Sequence, residues 1–201
     1  TGFEQSAGKT AISLSDGSKI AATLLVAADG VTSNIRSLAR IPFRGWNYDH
    51  AAIVSNVRLE RPHEGVAVQH FVERGTLAFL PLPNQHASIV WAEPRLQAER
   101  LAALQDDEFQ AVLQQRAGYD FGEITPIGPR AVRALKLGLA QHFHGDRIAL
   151  IGDAAHAMHP IAGQGMNFGL RDVAALAEAV ADAARLGLDI GSEFVLQRYD
   201  S

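Results

Sequence analysis

The chain has 201 residues, of which 47% are hydrophobic and 20% are charged, so it is long enough to bury a sizeable core as one or two small globular domains. Its formal net charge of −4 and the lack of a Lys/Arg cluster interleaved with aromatic residues argue against a nucleic-acid-binding protein. The absence of cysteine excludes a disulfide framework and a thiolate metal site, no apolar stretch approaches the roughly 18 residues of a membrane span, and we expect a cytoplasmic setting.

The opening segment predicts a β-hairpin. Residues 9–14 and 19–25 have the apolar content of strands, and the sequence Ser15-Asp16-Gly17-Ser18 between them supplies turn residues. We expect the second arm of the hairpin to continue directly into a buried strand over residues 24–28.

A carboxylate and a glycine end this predicted strand. The apolar run stops at Asp29-Gly30, and a short helix is expected to begin at Thr32 or Ser33. Arg36 follows on that helix, where its side chain either reaches a phosphate or lies as solvated surface.

The chain between roughly residues 42 and 140 changes character and predicts an antiparallel meander. Short turns separate its apolar-rich runs too closely for parallel neighbours, which need a crossover of about a dozen residues. The predicted strands are 51–59, 66–73, 76–82, 86–93 and 127–140, and the predicted helices are 93–104 and 106–117, with Asp106 as a possible cap.

This meander is predicted to be an insertion. Residues 1–41 and 142–201 would then form one domain, and residues 42–141 a second, antiparallel domain with helices. One apolar sheet face of the insertion would either cover a nonpolar substrate or form the core against the helices, which is the commoner arrangement. Its residues are Phe71, Phe79, Leu80, Leu82 and Trp91.

The stretch from Arg147 to Val173 carries the strongest pattern, RIALIGDAAHAMHPIAGQGMNFGLRDV. Its uninterrupted apolar run, residues 148–151, predicts a buried parallel strand. Asp153 follows at the carboxyl end of that strand, where open α/β sheets place their ligand crevices. A loop containing Pro160 then leads into the turn Gly163-Gln164-Gly165.

A long helix is predicted after this turn, closed by Gly187. Its polar side would carry Arg171, Glu178, Asp182 and Arg185. Its apolar side, expected to face the core, would consist of Leu170, Val173, Ala174, Ala177, Val180, Ala181, Ala184 and Leu188.

The residues around this helix start suit one kind of ligand. First-turn amide groups favour a ligand that gains negative charge, and the glycines at 163 and 165 let it approach the main chain. The Asp153 carboxylate suits ligand hydroxyl groups, so a flavin nucleotide fits both features. Alternatively, Asp153 only caps a turn and the glycines only pack closely. If Asp29 and Asp153 end strands of one sheet, they meet at the same edge.

Other kinds of site find less support. His142, His144, His156 and His159 lie close in sequence, but His156 and His159 fall in a loop without the helical i, i+4 spacing of metal ligands, so no metal site is predicted. The sequence contains no G-x-S-x-G elbow, no P-loop and no internal repeat, which argues against hydrolase and NTPase functions. The glycines from Gly163 onward do not match the G-x-G-x-x-G spacing.

Two segments resemble a known family. VAADGVTSNIR at 26–36 and the stretch 147–173 are similar to the second and third flavin motifs of FAD-dependent aromatic hydroxylases with the p-hydroxybenzoate hydroxylase fold. FLPLP, VWAE and HPIAGQG are most similar to the ubiquinone-biosynthesis monooxygenases that hydroxylate polyprenylated phenols. The resemblance implies an α/β (overall α+β) fold, in which part of a Rossmann-like FAD-binding domain carries an inserted antiparallel-sheet substrate domain.

The resemblance also implies roles for single residues. Asp153 would hold the flavin ribityl chain, Pro160 would lie beside the isoalloxazine ring, and Asp29 and Gly30 would lie near the pyrophosphate and the approach of NAD(P)H. His159 is a weak candidate for a catalytic side chain, and a loop histidine bonded to backbone is the alternative. Backbone amides facing the pyrimidine edge would come from Gly163, Gln164, Gly165, Met166 and Asn167.

The implied reaction is hydroxylation of a small hydrophobic phenol with NAD(P)H and O2, through a flavin C4a-hydroperoxide. The complete protein would work in the cytoplasm, with peripheral membrane or quinone-biosynthesis complex association. Two alternatives remain open. One is a flavin reductase or desaturase of the same fold acting on prenyl lipids, and the other is a non-catalytic scaffold piece of a quinone-biosynthesis assembly.

The chain departs from this family in one respect. Family members begin with a strand, a G-x-G-x-x-G turn and a helix that bind the ADP half of FAD, and no such unit precedes Thr1. We therefore expect an internal fragment, or a truncated form, of a roughly twofold longer enzyme. On its own, the piece is expected to be inactive and to bind flavin poorly.

Overall fold

The computed structural model of the protein describes residues 2–6, 8–72, 75–158 and 163–201. Its chain forms two compact units. The first consists of the residues up to Trp46 and from Lys136 onward, and the second is Asn47–Leu135. The chain passes from one unit to the other within two long strands, Phe43–Leu59 and Ala131–Ala140.

Strands and helices alternate irregularly along the chain. The strands are β1 (Gly2–Ser6), β2 (Lys9–Ser13), β3 (Lys19–Ala22), β4 (Leu25–Ala27), β5 (Phe43–Leu59), β6 (Val68–Val72), β7 (Gly75–Leu82), β8 (His86–Pro94), β9 (Ile124–Pro126), β10 (Ala131–Ala140), β11 (His144–Gly145), β12 (Ile148–Leu150) and β13 (His156–Ala157). The helices are α1 (Asn34–Leu38), α2 (Arg95–Ala102), α3 (Asp106–Ala117), α4 (Gln164–Arg185) and α5 (Glu193–Asp200), and Gly152–Ala154 forms a 3-10 turn.

The predicted N-terminal hairpin is confirmed. Strands β2 and β3 pair antiparallel, and β1 pairs with the other side of β2. The Asp16 carboxylate accepts a hydrogen bond of 2.9 Å from the Ser18 amide in the turn, and Gly17 has a φ of 84°. The expectation that the second arm continues into the next strand was wrong. Strand β3 ends at Ala22, and β4 belongs to a different sheet.

A small sheet at the centre of the first unit has the strand order β11-β12-β4. Strands β12 and β4 are parallel, with Ile148 opposite Leu25 and Leu150 opposite Ala27. All three residues of β12 are buried, and their side chains enter hydrophobic clusters on both faces of the sheet, as a parallel strand requires. Full burial of the residue 24–28 run was a wrong expectation, because Val26 remains 41% exposed.

Helix α4 forms as predicted, but the face that it buries is not the predicted one. Leu176, Ala179 and Ala183 are its buried residues, and they pack in a cluster with Leu196 and Tyr199 of α5. The residues predicted for the core side are exposed, apart from the partly buried Val180. Apolar side chains lie on almost every side of this helix, so spacing alone did not identify the buried side.

The second unit is an antiparallel sheet covered by helices. Strands β6, β7, β8 and β5 are neighbours in that order, and β9 pairs with the end of β5. The predicted antiparallel pairing is confirmed, and β6, β7 and β8 form a meander, whereas β5 lies beside β8 instead of β6. Helix α3 has Gln105 as its N-cap instead of Asp106, because Gln105 and Glu108 form a reciprocal capping box. Within the described residues, no helix combines the length and the apolar character that crossing a bilayer demands.

Candidate functional site

Two loops leave the same edge of the central sheet. Because β4 and β12 are parallel neighbours with Ala27 opposite Leu150, their carboxyl ends meet. Asp29 follows the first strand and Asp153 follows the second. The expectation that the two acids lie at one edge of one sheet is confirmed, and this edge is where open α/β sheets bind ligands.

The Asp29 carboxylate caps the helix that follows it. Its Oδ2 accepts hydrogen bonds from the amides of Asn34 at 2.8 Å and Ile35 at 3.2 Å. Partial burial acts to raise the pKa of Asp29, but hydrogen bonds from the Ser33 side chain and the two amides outweigh it, so the pKa lies below its usual value. Ser33 is the N-cap of α1, which is one of the two helix starts that the sequence left open.

Arg36 is a buried structural connector. It is 6% exposed, and its guanidinium donates to the carbonyl oxygens of Ala154 at 2.6 Å and Val31 at 2.8 Å. The same group stacks 3.9 Å from the ring centroid of Phe43. The interpretation of Arg36 as a solvated surface residue was wrong, and its role as a phosphate ligand stays a prediction. The side chain joins the loop after β4 to the 3-10 turn after β12.

The 3-10 turn presents the Asp153 carboxylate to solvent. Asp153 is exposed, whereas Ala154 beside it is fully buried. Gly152 enters the turn with a φ of 58°, and its amide donates to Asp172 Oδ2 at 2.7 Å. A Cβ atom added to Gly169 would lie 3.3 Å from the Gly152 Cα, so the turn packs directly on helix α4.

The N-terminus of α4 has an open main chain. Gly163 is its N-cap with a φ of 62°, and no capping side chain is seen within the described part of the chain. A Cβ atom added to Gly163 or Gly165 would meet no atom within 4 Å, and Gln164, Met166 and Asn167 are exposed. Close packing of these glycines by protein is therefore not observed among the described residues. First-turn amides, which have no partner within the helix, and the exposed Asp153 carboxylate fit a ligand that has both a negatively charged part and hydroxyl groups.

Two predicted site residues lie outside the described residues. These are His159 and Pro160, which belong to the stretch 159–162. The remaining predicted residues, Asp29, Gly30, Asp153 and Gly163 to Asn167, lie on the two strand-end loops and at the start of α4.

Sequence reasoning missed one pair in this region. His156 Nε2 lies 2.7 Å from Asp172 Oδ2, and the two side chains are 7% and 12% exposed. The sequence had suggested His156 only as a metal ligand and had not considered Asp172. A signal was present, because Asp172 lies one helical turn before the buried Leu176 and therefore on the inward side of α4.

The other histidines of the predicted cluster lie elsewhere. His142 and His144 each approach Asp200 Oδ2 at 3.6 Å, and they line a cavity of about 690 Å³ beside α5. In the described ranges, no three His, Cys, Asp or Glu residues are arranged to hold a metal ion.

The apolar residues of the second unit lie on two faces of its sheet. Phe79 and Trp91 are 1% and 0% exposed in the core beneath the helices, which is the arrangement that the sequence left as the commoner one. Phe71 and Leu80 are 79% and 41% exposed, and strand register places them together on the opposite face. A single apolar face made of all five residues was a wrong expectation.

Comparison with protein families finds one that matches nearly the whole chain. The FAD binding domain family matches residues 3–199. The chain is 47% identical over 188 residues to the ubiquinone hydroxylase UbiL of Rhodospirillum rubrum, covering 94% of this chain and 44% of that protein. It is 33% identical over 224 residues to the mitochondrial ubiquinone biosynthesis monooxygenase COQ6 of Rattus norvegicus, covering 94% of this chain and 47% of that protein.

Solved structures agree with this result. PqsL, a probable FAD-dependent monooxygenase from Pseudomonas aeruginosa, matches with a TM-score of 0.73 at 25% identity, covering 96% of this chain and 54% of that chain. The present chain spans less than half of the length of UbiL and of COQ6.

Proposed function

Because this chain belongs to the FAD binding domain family, we propose that the edge of strands β4 and β12, with the start of helix α4, forms part of an FAD site. One observation carries the proposal. Two strand-end loops bearing Asp29 and Asp153 leave one sheet edge, and the Asp153 turn packs on a helix whose N-terminal glycines are open. Connected elements would therefore supply the Asp153 carboxylate to the polyol chain of FAD and backbone amides of α4 to its ring.

Each residue has a distinct part in this site. The Asp153 carboxylate would accept hydrogen bonds from ribityl hydroxyl groups, and the amides from Gly163 to Asn167 would face the pyrimidine edge of the ring. Gly30 would lie near the pyrophosphate and the approach of NAD(P)H. Asp29 would hold the loop after β4 through its hydrogen bonds to the amides of α1. Arg36 would hold the same loop through its hydrogen bonds to the carbonyl oxygens of Val31 and Ala154.

The complete protein would be an NAD(P)H-dependent monooxygenase that hydroxylates the ring of a polyprenylated phenol in ubiquinone biosynthesis. The names of UbiL and COQ6 support this assignment. Bound FAD supplies the redox chemistry, namely acceptance of hydride from NAD(P)H and activation of dioxygen. The chain's own contribution would be positional and electrostatic, because the first-turn amides of α4 would stabilise negative charge on a bound ligand.

The open face of the second unit's sheet would serve a nonpolar substrate. Phe71, Leu80 and Leu82 lie on this face, with Phe71 79% exposed. Exposed large apolar side chains grouped on one surface commonly mark a binding surface. We assign to this face the task of holding the hydrophobic phenol and keeping water from it.

The cellular location follows from substrate chemistry. A polyprenylated phenol partitions into membranes, so the complete protein would work from the cytoplasm at the membrane surface. It would bind there peripherally or within an assembly of quinone-biosynthesis proteins.

The test uses the complete gene product. FAD affinity is measured on the apoprotein by flavin fluorescence for the wild type and for Asp153→Ala, which should weaken binding about tenfold through loss of hydrogen bonds to a charged acceptor. Asp182→Asn is the matched control, because Asp182 lies on α4 but pairs with Arg198 at 2.7 Å.

Catalysis is tested with a polyprenylated phenol and NAD(P)H. A hydroxylated product formed in step with oxygen consumption is expected. Reduction or desaturation of a prenyl lipid without oxygen incorporation would identify the enzyme as a reductase or desaturase. Tight FAD binding without any turnover would favour the scaffold alternative, and absence of FAD binding would contradict the proposed site.

A further inference from the structure

The buried pair His156 and Asp172 has no part in the FAD contacts assigned above. His156 is 5% exposed, and its Nε2 lies 2.7 Å from Asp172 Oδ2. The ring lies between Phe143, at 5.7 Å between centroids, and Phe168, at 5.9 Å. A polar pair among aromatic rings lowers the stability of the fold unless its hydrogen bonds are well satisfied. Its presence here therefore indicates a specific role.

The carboxylate of this pair holds the turn that carries Asp153. Asp172 Oδ2 accepts from His156 and also, at 2.7 Å, from the amide of Gly152. Because an ionised carboxylate only accepts hydrogen bonds, the histidine proton is assigned to Nε2. Nδ1 of His156 has no hydrogen-bond partner within the described part of the chain, so the link to Asp172 is the ring's one polar contact there.

The far end of the same turn is held by a cation. The Arg36 guanidinium donates to the Ala154 carbonyl at 2.6 Å, and the Gly152 backbone rests on Gly169 of helix α4. The turn is therefore held at its first residue by the Asp172 carboxylate and at its last by the buried Arg36 guanidinium. Asp153 lies between these two points with an exposed side chain.

We propose that His156 and Asp172 form a positioning pair that sets the place of the Asp153 carboxylate relative to the N-terminus of helix α4. This inference rests on the proposed FAD site and deepens it. The histidine orients the carboxylate, the carboxylate holds the Gly152 amide, and the turn then presents Asp153 to the polyol part of the flavin nucleotide. Neither member of the pair touches the ligand.

The expected effect is a loss of FAD affinity that depends on Asp153. His156→Leu removes the donor to Asp172 and should raise the dissociation constant for FAD about tenfold or more. His156→Gln retains an N–H donor near the Nε2 position and should restore most of the affinity. Asp172→Asn keeps an acceptor for the Gly152 amide but loses its charge, and it should show an intermediate effect.

A double-mutant cycle separates positioning from a general structural role. FAD dissociation constants are measured by flavin fluorescence on the complete gene product carrying His156→Leu, Asp153→Ala or both. If the pair acts through Asp153, His156→Leu should change affinity by less than about twofold in the Asp153→Ala background. Asp182→Asn on the same helix is the control and should leave affinity unchanged. Thermal melting of each apoprotein reports whether it is folded.

The outcomes are distinguishable. Full tenfold losses from His156→Leu in both backgrounds, or no rescue by His156→Gln, would overturn the positioning role while leaving the FAD site intact. A wild type that binds no FAD, or an Asp153→Ala variant that binds as tightly as the wild type, would overturn the proposed role of Asp153 and this inference with it. If His156→Leu does not fold, the same cycle is run with Asp172→Asn.

Discussion

The carboxylates of Asp29 and Asp153, which follow β4 and β12, have different surroundings. Asp29 satisfies amides at the start of α1, whereas Asp153 is displayed to solvent by a turn that other residues hold. An apolar run precedes the acid at both places, directly before Asp29 and with Gly152 in between at Asp153. The partners of each carboxylate, which come from the packing around it, make one a cap and leave the other available for a ligand.

Asp29 makes stability depend on pH at the acid end. Its pKa is lowered in the folded chain, so its stabilisation is fully present above the unfolded value of 3.8 and is lost as the pH falls through the lower folded value. At neutral pH, Asp29→Ala should lower the free energy of unfolding by about 0.5–1 kcal/mol, a modest amount because the carboxylate is exposed.

Urea unfolding of both proteins across this pH range checks the prediction. The difference between wild type and Asp29→Ala should shrink steadily once the pH drops below about 4. A difference that stays constant with pH would show that the ionised carboxylate contributes nothing at this cap.

At the scale of the elements, the buried face of helix α4 is set by its packing partners. Helix α4 buries Leu176, Ala179 and Ala183, and it exposes Leu170 and Val173 to solvent at 58% and 47%. Asp172 also lies on the inward side of this helix, although it is polar. Its charge is met by His156 and the Gly152 amide.

Two leucines of this helix provide a matched comparison. Leu176→Ala removes a buried side chain from the cluster with α5 and should lower the free energy of unfolding by about 2–4 kcal/mol. Leu170→Ala changes an exposed residue of the same type and should stay within about 0.5 kcal/mol. Denaturant unfolding of the 201-residue chain measures both, and equal losses would contradict the assignment of the buried face.

The sheet of the second unit shows the same principle in strands. Phe79 and Leu80 are neighbours in β7, yet one is 1% and the other 41% exposed. Successive strand residues point to opposite faces, so the pairing register assigns one to the core beneath α2 and α3 and the other to the open face.

At the scale of the whole molecule, the residues at the two ends of the chain form one compact unit, and residues 47–135 form a second. We propose that residues of the first unit hold the ribityl chain and the ring of a flavin. Residues 1–201 contain no strand–G-x-G-x-x-G–helix sequence pattern for the ADP half. We expect these 201 residues to bind the whole nucleotide weakly.

The 201-residue chain should accordingly purify colourless. Without a glycine-rich phosphate turn, it forgoes much of the binding free energy that FAD gains from its pyrophosphate. The ratio of visible flavin absorbance to protein concentration measures occupancy, and the complete gene product serves as the comparison. A yellow preparation with one flavin for each chain would contradict this expectation.

Local chemistry allowed much of this molecule to be predicted from its sequence. The hairpin at Asp16-Gly17, the meander, strand β12 and helix α4 follow from turn residues and hydrophobic spacing, which act over a few neighbouring residues. The strand-ending acids at 29 and 153 also pointed to a single sheet edge, because parallel neighbours share their carboxyl ends.

Only the tertiary structure decided how side chains from distant parts of the chain meet. In the tertiary structure, Arg36 donates a hydrogen bond to Ala154 and His156 pairs with Asp172 of helix α4. Packing also determines which face of that helix is buried. These outcomes depend on packing and on hydrogen-bond partners far apart in sequence. Hydrophobic periodicity describes each helix or strand by itself, so it does not predict which other elements pack against it.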